Sequence, residues 1–396
     1  MEVRKTFNIL VNRMLCTIMK YILLICDGIS DTKGKRGATP LEYANTPNFD
    51  SIAMRGINGI MDVVKKGVVP NSDTGHLSLL GYDLKKYYPG RGPLEALGAG
   101  IELREGDVAF RANIATVDKN FEVIDRRAGR IRGNLTELEK AVNEIDIGAD
   151  FVFKHTVDHR GTLVLKKFKQ KASDTDPHIA GKKVLKAGKV LDQFTKKCYE
   201  KLGRLELNRN RSLPVNMILL RGAGVYKKAP SFKELHNLRG ACIAATALVK
   251  GVARFCELDV LEVQGANGTE NTNIHGKFKT AVDSLERYDF VLVNVKATDN
   301  FGHDGNFEGK VGMIERIDGQ LHVLEKSMND CILVITADHS TPVEKKGHSA
   351  DPVPISIAGN GVKPDGVRNY NEYSCAKGRL KRIEGTELMK ILKKFT

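Results

Sequence analysis

The chain has 396 residues, 41% hydrophobic and 28% charged, enough apolar material for two or three buried cores at about 150 residues each and too much for a disordered chain. Lys plus Arg number 62 against 48 Asp plus Glu, a formal net charge of +14, while aromatics are 6% and Trp is absent. Scarce aromatics disfavour single-strand nucleic-acid binding, and the charge reads as a lysine-rich surface and a site for small acidic substrates, with no nucleic-acid partner expected.

Taken in chain order, residues 7–26 are apolar but are interrupted by Arg13 and Lys20, and no small-residue cleavage site follows. Neither a membrane span nor a signal peptide is expected. Residues 1–18 read as a dispensable extension, and a chain starting at Met19 is expected to fold, bind metal and stay active. Short apolar runs at Tyr21–Cys26, Phe290–Lys296, Cys331–Thr336 and Pro354–Ala358 have the length and composition of buried parallel strands. Helices are expected over 276–287 and 311–328, the latter from the Ile314, Ile317, Leu321, Leu324 stripe. Strands alternating with helices predict an α/β sheet covered on both faces. The middle differs: alternating pieces such as Ala109–Val117 and Thr162–Lys166, with a helix around 232–254, suggest an α+β domain. Pro89–Pro93 marks the way in and Gly265–Gly268 the way out. The expected division is 19–104 plus 264–396 for the α/β domain and 105–263 for the insertion. Seven dispersed cysteines without a CxxC pair fit reduced thiols in a cytoplasmic protein.

Three predicted strands run directly into ligand-type residues: Asp27; Lys296 and Asp299, then His303; Asp338 and His339. Ligands in open α/β sheets bind beyond the carboxyl ends of strands. Mixed carboxylate and imidazole sets suit borderline divalent metals. His348 follows in a polar loop, and Ser72 stands where a helix begins. There it reads either as an ordinary cap or as a nucleophile favoured by the helix dipole.

The segments Asp27-Gly28-Ile29-Ser30-Asp31, Asn71-Ser72-Asp73-Thr74-Gly75-His76, Thr298-Asp299-Asn300-Phe301-Gly302-His303-Asp304-Gly305, Thr336-Ala337-Asp338-His339-Ser340-Thr341-Pro342 and His348-Ser349-Ala350-Asp351-Pro352-Val353-Pro354 stand in a familiar order. Together they resemble the archaeal-type cofactor-independent phosphoglycerate mutases of the alkaline phosphatase superfamily. The resemblance implies an alkaline-phosphatase-like, mostly parallel sheet with helices on both faces, and an inserted α+β lid domain. It implies one divalent metal on Asp27, Ser72, Asp338 and His339, and another on Asp299, His303 and His348. Mn²⁺ is favoured, with Mg²⁺, Co²⁺ or Zn²⁺ as alternatives, and no bisphosphoglycerate is required. Ser72 matches the phosphoryl-accepting serine, and Lys296 is a second catalytic candidate.

The inserted domain is then expected to hold the substrate. Asp125, Arg126, Arg127 and Arg130 of the DRRAGR motif, Arg160, Asp176, His178 and Arg221 resemble family segments. Arginine forks suit the phosphate and carboxylate of phosphoglycerate. The implied activity is interconversion of 2- and 3-phosphoglycerate through a phosphoserine. A metal-dependent phosphomonoesterase or phosphonate hydrolase on the same site is the alternative. No membrane partner is expected, and a homo-oligomer is left open.

Overall fold

The structure is a computed structural model that describes residues 19–133 and 135–395. The extension 1–18 lies outside the described residues. Thirteen strands occur among the described residues. In chain order they are β1 (Lys20–Cys26), β2 (Gly56–Asp62), β3 (Val108–Val117), β4 (Val123–Asp125), β5 (Phe151–His155), β6 (Arg160–Leu165) and β7 (Met217–Val225). There follow β8 (Gly240–Ile243), β9 (Asp259–Val260), β10 (Phe290–Val295), β11 (Cys331–Thr336), β12 (Val353–Gly359) and β13 (Lys381–Glu384).

An eight-stranded sheet has the order β13-β2-β12-β11-β1-β10-β8-β9. Its centre is built from strands whose residues are apolar on both faces; β10 and β11 are buried along their whole length. Such runs need cover above and below, which helices Ile274–Ser284 and Phe307–Asp318 help supply through Phe278, Ile314 and Ile317. β1 runs parallel to both β10 and β11, with Cys26 opposite Val295 and Ile25 opposite Thr336. The three carboxyl ends are therefore level, and the residues that follow emerge at one edge.

Two details differ from the sequence expectation within this sheet. β12 is antiparallel to β11 and β2, because residues 337–352 turn back at the edge where β11 ended instead of crossing the sheet. The helix expected over 311–328 is two, Phe307–Asp318 and His322–Glu325. It stops where Gly319 caps the first and Asp318 accepts hydrogen bonds from the Asn48 and Phe49 amides.

The second sheet is antiparallel. β3 pairs with β4, β6 and β7, and β6 with β5. Leu138 and Val142 of helix Thr136–Asn143 and Phe194 and Cys198 of helix Lys189–Leu202 join Ile114, Phe153 and Leu163 in a separate core. This sheet ends at Val225, which corrects the boundary expected at 263. Residues 232–254 are not one helix but Phe232–His236, β8 and Ala247–Phe255. Asn237, in the left-handed region at φ 57°, ends the first helix, and β8 then pairs with β10. Phe232, Cys242 and Val252 belong to the large core. The chain thus leaves the second sheet where it entered: Val108 pairs with Val225, the Gly106 amide donates to the Tyr226 carbonyl, and the Tyr226 amide donates to that of Asp107. Gly265–Gly268 is a turn within the first core's surroundings, not the exit.

Candidate metal centre and active site

Local structure delivers each functional side chain to the level edge of the large sheet. Asp27 directly follows β1. Asp299 and His303 are four apart on helix Ala297–Asp304, a spacing that places both on one face. Asp338 and His339 follow β11, and His348 returns from the long loop. Ser72 is the first residue of helix Ser72–Leu79, where unpaired amides favour negative charge. Two close approaches need glycine. A Cβ on Gly75 would sit 2.4 Å from the Asp338 carbonyl oxygen, pressing the helix start off the site. Gly28 has φ +62°, and a Cβ there would lie 2.6 Å from Thr341 Oγ1 and 2.8 Å from Asp299 Oδ1.

Two ligand clusters result: Asp27, Asp338 and His339, all buried, and Asp299, His303 and His348. Hydrogen bonds define which ring nitrogens are free. His303 Nδ1 lies 3.2 Å from the Lys346 carbonyl and His348 Nδ1 3.0 Å from that of Pro70. A carbonyl only accepts, so each Nδ1 carries the hydrogen. With both rings neutral, the two Nε2 lone pairs face each other at 3.2 Å, and each is 3.5 Å from Asp299 Oδ1. The first cluster obeys the same logic. The Thr341 hydroxyl donates to Asp299 Oδ1 at 2.7 Å, so it accepts from His339 Nδ1 at 2.9 Å. His339 Nε2 is left to face Ser72 Oγ at 3.3 Å, Asp338 Oδ2 at 3.3 Å and Asp27 Oδ1 at 3.5 Å. Asp338 Oδ2 is buried without a hydrogen-bond partner. Converging lone pairs with no hydrogen between them fit a cation in each cluster. Imidazoles oriented through their far nitrogens by carbonyls and a hydroxyl are the usual support for one.

Electrostatics agree. Burial, reinforced by Asp338, pushes the Asp27 carboxyl up, so the first cluster is short of positive charge. Burial lowers His339 to about 3, against the pull of Asp27, so its ring is neutral. Burial opposes ionisation of Asp299, but the neighbouring His348 and the Lys296 ammonium hold it well below the usual carboxylate range. Lys296 Nζ bridges Asp27 Oδ1 at 2.8 Å and Asp299 Oδ2 at 2.6 Å. Burial alone would lower its pKa; Asp27 and Asp299 raise it.

A cleft of about 620 Å³ opens over this floor, with Asp27, Ser72 and Lys296 on one side and Arg91, Arg111 and Arg160 among the facing residues. Burial, opposed by Glu95, brings Arg111 down to about 9. Burial also lowers Arg221, which pairs with Arg111 across β3 and β7. Burial and then Arg160, Arg127 and Arg111 bring His159 to about 4. The wall is a cationic field in which Glu95 is the carboxylate paired with Arg91 and Arg111.

The expected substrate residues divide. Arg160 lines the cleft, and Arg221 stands beside it. Asp125 is committed to the turn, accepting from the Arg127 and Gly129 amides. Asp176 is committed to Arg126, at 3.0 and 2.7 Å. Arg127, Arg130 and His178 are exposed and do not line the cleft. In this arrangement of the two sheets they stand apart from the cleft. Sequence reasoning missed Arg91, Arg111 and Asn294, and quoted His76 and Thr341 without a role. Arg111 carried a signal: it is the one charged residue in the apolar run of β3, and such residues are almost never buried without a task.

Known proteins resemble this chain over nearly its whole length. Residues 19–394 match the metalloenzyme superfamily. The 2,3-bisphosphoglycerate-independent phosphoglycerate mutase 1 of Methanocaldococcus jannaschii is 46% identical over 95% of this chain and 97% of its own length. That of Archaeoglobus fulgidus is 45% identical over 94% and 97%. The solved cofactor-independent phosphoglycerate mutase of Thermoplasma acidophilum matches with TM-score 0.71 and 36% identity, covering 95% of this chain and 99% of its own. By these matches over nearly its full length, the chain belongs to the 2,3-bisphosphoglycerate-independent phosphoglycerate mutases of the metalloenzyme superfamily.

Proposed function

We propose that the protein interconverts 2- and 3-phosphoglycerate, with Ser72 carrying the phosphoryl group between the two hydroxyls. The observation that carries this reading is the placement of Ser72 Oγ, on a helix amino end, 3.3 Å from His339 Nε2 at the floor of an arginine-lined cleft. The clusters would hold two divalent cations, Mn²⁺ favoured: Asp27, Ser72, Asp338 and His339 one, and Asp299, His303 and His348 the other. When bound, they supply positive charge that eases loss of the serine proton and screens the phosphate.

The chain's own groups do the rest. Arg91, Arg111 and Arg160 draw in a phosphate and a carboxylate. Lys296, fixed between Asp27 and Asp299, adds charge at the floor. Ser72 Oγ forms a bond to phosphorus as the bond to the glycerate oxygen breaks, and that oxygen takes a proton. Glycerate turns in the cleft; its other hydroxyl loses a proton and attacks the phosphoserine, restoring Ser72. The inserted sheet acts as a lid, since water in glycerate's place would make the enzyme a phosphatase. A glycolytic and gluconeogenic substrate, with six free buried cysteines among the described residues, supports a cytoplasmic protein. No helix among the described residues is long and apolar enough to cross a membrane.

The test is a coupled assay for 2-phosphoglycerate formed from 3-phosphoglycerate with Mn²⁺, run beside an assay of free phosphate. Isomer without phosphate release is expected. Steady phosphate release without isomer would replace the mutase reading with the hydrolase one.

A further inference from the structure

Behind Ser72 lies a buried polar relay that the proposed chemistry does not use. His76, one turn along the nucleophile helix, is fully buried. Its Nδ1 lies 2.6 Å from the backbone carbonyl of Ser72 and 3.4 Å from Asp338 Oδ2. A carbonyl cannot donate, so Nδ1 carries the hydrogen. On the far side of the ring, Asn294 Nδ2 lies 3.3 Å from Nε2 and 3.0 Å from Asp27 Oδ2. One amide nitrogen with two hydrogens serves both acceptors. Turning the amide over would set Asn294 Oδ1 against the Asp27 carboxylate, and Oδ1 as it stands is buried with no partner. The Asn294 backbone is held in turn: its carbonyl accepts from the buried Lys277 ammonium at 2.8 Å. Asn294 sits on β10, in register with Ile25 of β1, so the relay is anchored in the rigid centre of the large sheet.

We infer that Asn294 and His76 are positioning residues for the nucleophile. The Asn294 amide takes its orientation from Asp27, a ligand of the first cluster, and fixes His76 as the Nδ1–H tautomer. That N–H grips the Ser72 carbonyl and sets the first turn of the helix, aiming Oγ at the site. The relay ties the nucleophile to the metal ligand across two elements that are distant in sequence. Partners that orient a site's ligands typically contribute 10- to 100-fold to affinity or activity. Here the effect falls on the rate of phosphoryl transfer, because neither residue lines the cleft. The inference rests on the reading of Ser72 as nucleophile, and its test separates the two.

The experiment uses the full chain labelled with ¹⁵N-histidine and loaded with Mg²⁺, which is diamagnetic. Long-range ¹H–¹⁵N correlation reports the tautomer of each of the ten histidines, and His76→Gln identifies the signal. The expected result is His76 protonated at Nδ1 only. In Asn294→Leu, which removes both amide hydrogens at similar volume, the Ser72 carbonyl still holds the Nδ1 hydrogen, but Nε2 loses its donor and its ¹⁵N signal is expected to shift and broaden. Phosphorylation of Ser72 in a single turnover should slow about 10- to 100-fold with KM unchanged. Wild-type His76 found as the Nε2–H tautomer or as imidazolium overturns the inference, and that measurement stands even if Asn294→Leu does not fold. A folded, metal-loaded Asn294→Leu that phosphorylates Ser72 at the wild-type rate overturns it as well. A wild-type protein with the Nδ1–H tautomer that never phosphorylates Ser72 sinks the mutase reading but supports the tautomer lock.

Discussion

The two walls of the cleft are opposite in charge and in construction. The large-sheet wall gathers three carboxylates and three imidazoles, most of them buried, each tied to another segment. The second-sheet wall gathers Arg91, Arg111, Arg160 and Arg221, of which Arg111 and Arg221 are lowered by burial and then by the neighbouring guanidiniums, with Glu95 as the near carboxylate, 3.2 Å from Arg91 and 3.9 Å from Arg111. Each wall holds one counter-charge for several like charges, Lys296 on the first and Glu95 on the second. Opposed fields of this kind do not stabilise the fold; they are kept for ligands that complete them.

The largest effect should come from the boundary between the walls. Ser72→Ala removes one hydroxyl and leaves both cores intact. Isomerase activity should fall on the order of 10⁴-fold or more, with Tm and metal content nearly unchanged. Peptide mass analysis after incubation with substrate should find phosphate on Ser72 in the wild type; phosphate on another residue would break the scheme.

Next comes the carboxylate wall. His348→Ala should cost one of two metal equivalents, measured by elemental analysis, and more than the roughly 10- to 100-fold activity of an orienting partner. His339→Ala should remove the other equivalent. Chelation should silence the enzyme, and Mn²⁺ should restore it. Loss of both metals from His348→Ala would show that the clusters form one site rather than two.

The arginine wall should respond differently. Arg111→Met removes a charge that burial already disfavours, so Tm should hold or rise. KM for phosphoglycerate should increase about 10- to 100-fold, the loss of a charge-assisted hydrogen-bond pair. A fall in kcat at unchanged KM would move Arg111 from holding substrate to the transfer step.

The smallest effect concerns His159. Its pKa is about 4 folded and about 6.5 unfolded. The unfolded chain therefore binds the extra proton first. The stability tied to a neutral His159 is complete above about pH 6.5 and is lost as pH falls towards 4. His159→Gln should flatten the Tm–pH slope in that window. A phosphate-type anion bound on the arginines should raise the His159 pKa, seen by NMR titration; no movement would place the anion elsewhere.

The carboxylate wall was legible because its residues sit at fixed places in local patterns: Asp27, Asp299 and Asp338 beyond apolar strands, His303 four residues after Asp299. His348 was legible only as a histidine in a polar loop nine residues after His339, able to fold back to the site. The arginine wall was poorly legible because its residues meet through pairing across strands. Arg111 opposes Arg221 only by the register of β3 and β7, which no local window contains. Arg91 was read as part of a linker, yet it opens helix Arg91–Gly98. β8 was lost inside a helix because Gly240-Ala241-Cys242-Ile243 lacks the β-branched density of its neighbours; parallel pairing with β10 overrides that weak local preference.

The paired crossing at Gly106–Val108 and Val225–Tyr226 has a mechanical consequence. Two strands joined by ladder bonds form a ribbon, which bends and twists far more easily than it stretches or shears. Here that ribbon is braced by helix Arg91–Gly98, whose Ala96 packs with Ala109 and Val164 of the second sheet, so the insertion is held at its base on two sides. The same geometry makes the insertion a module with adjoining ends, so a short turn could replace it without stretching the chain on either side. Cut out there, the large sheet would keep its ligands and its serine but have nothing to hold an alcohol in place of water.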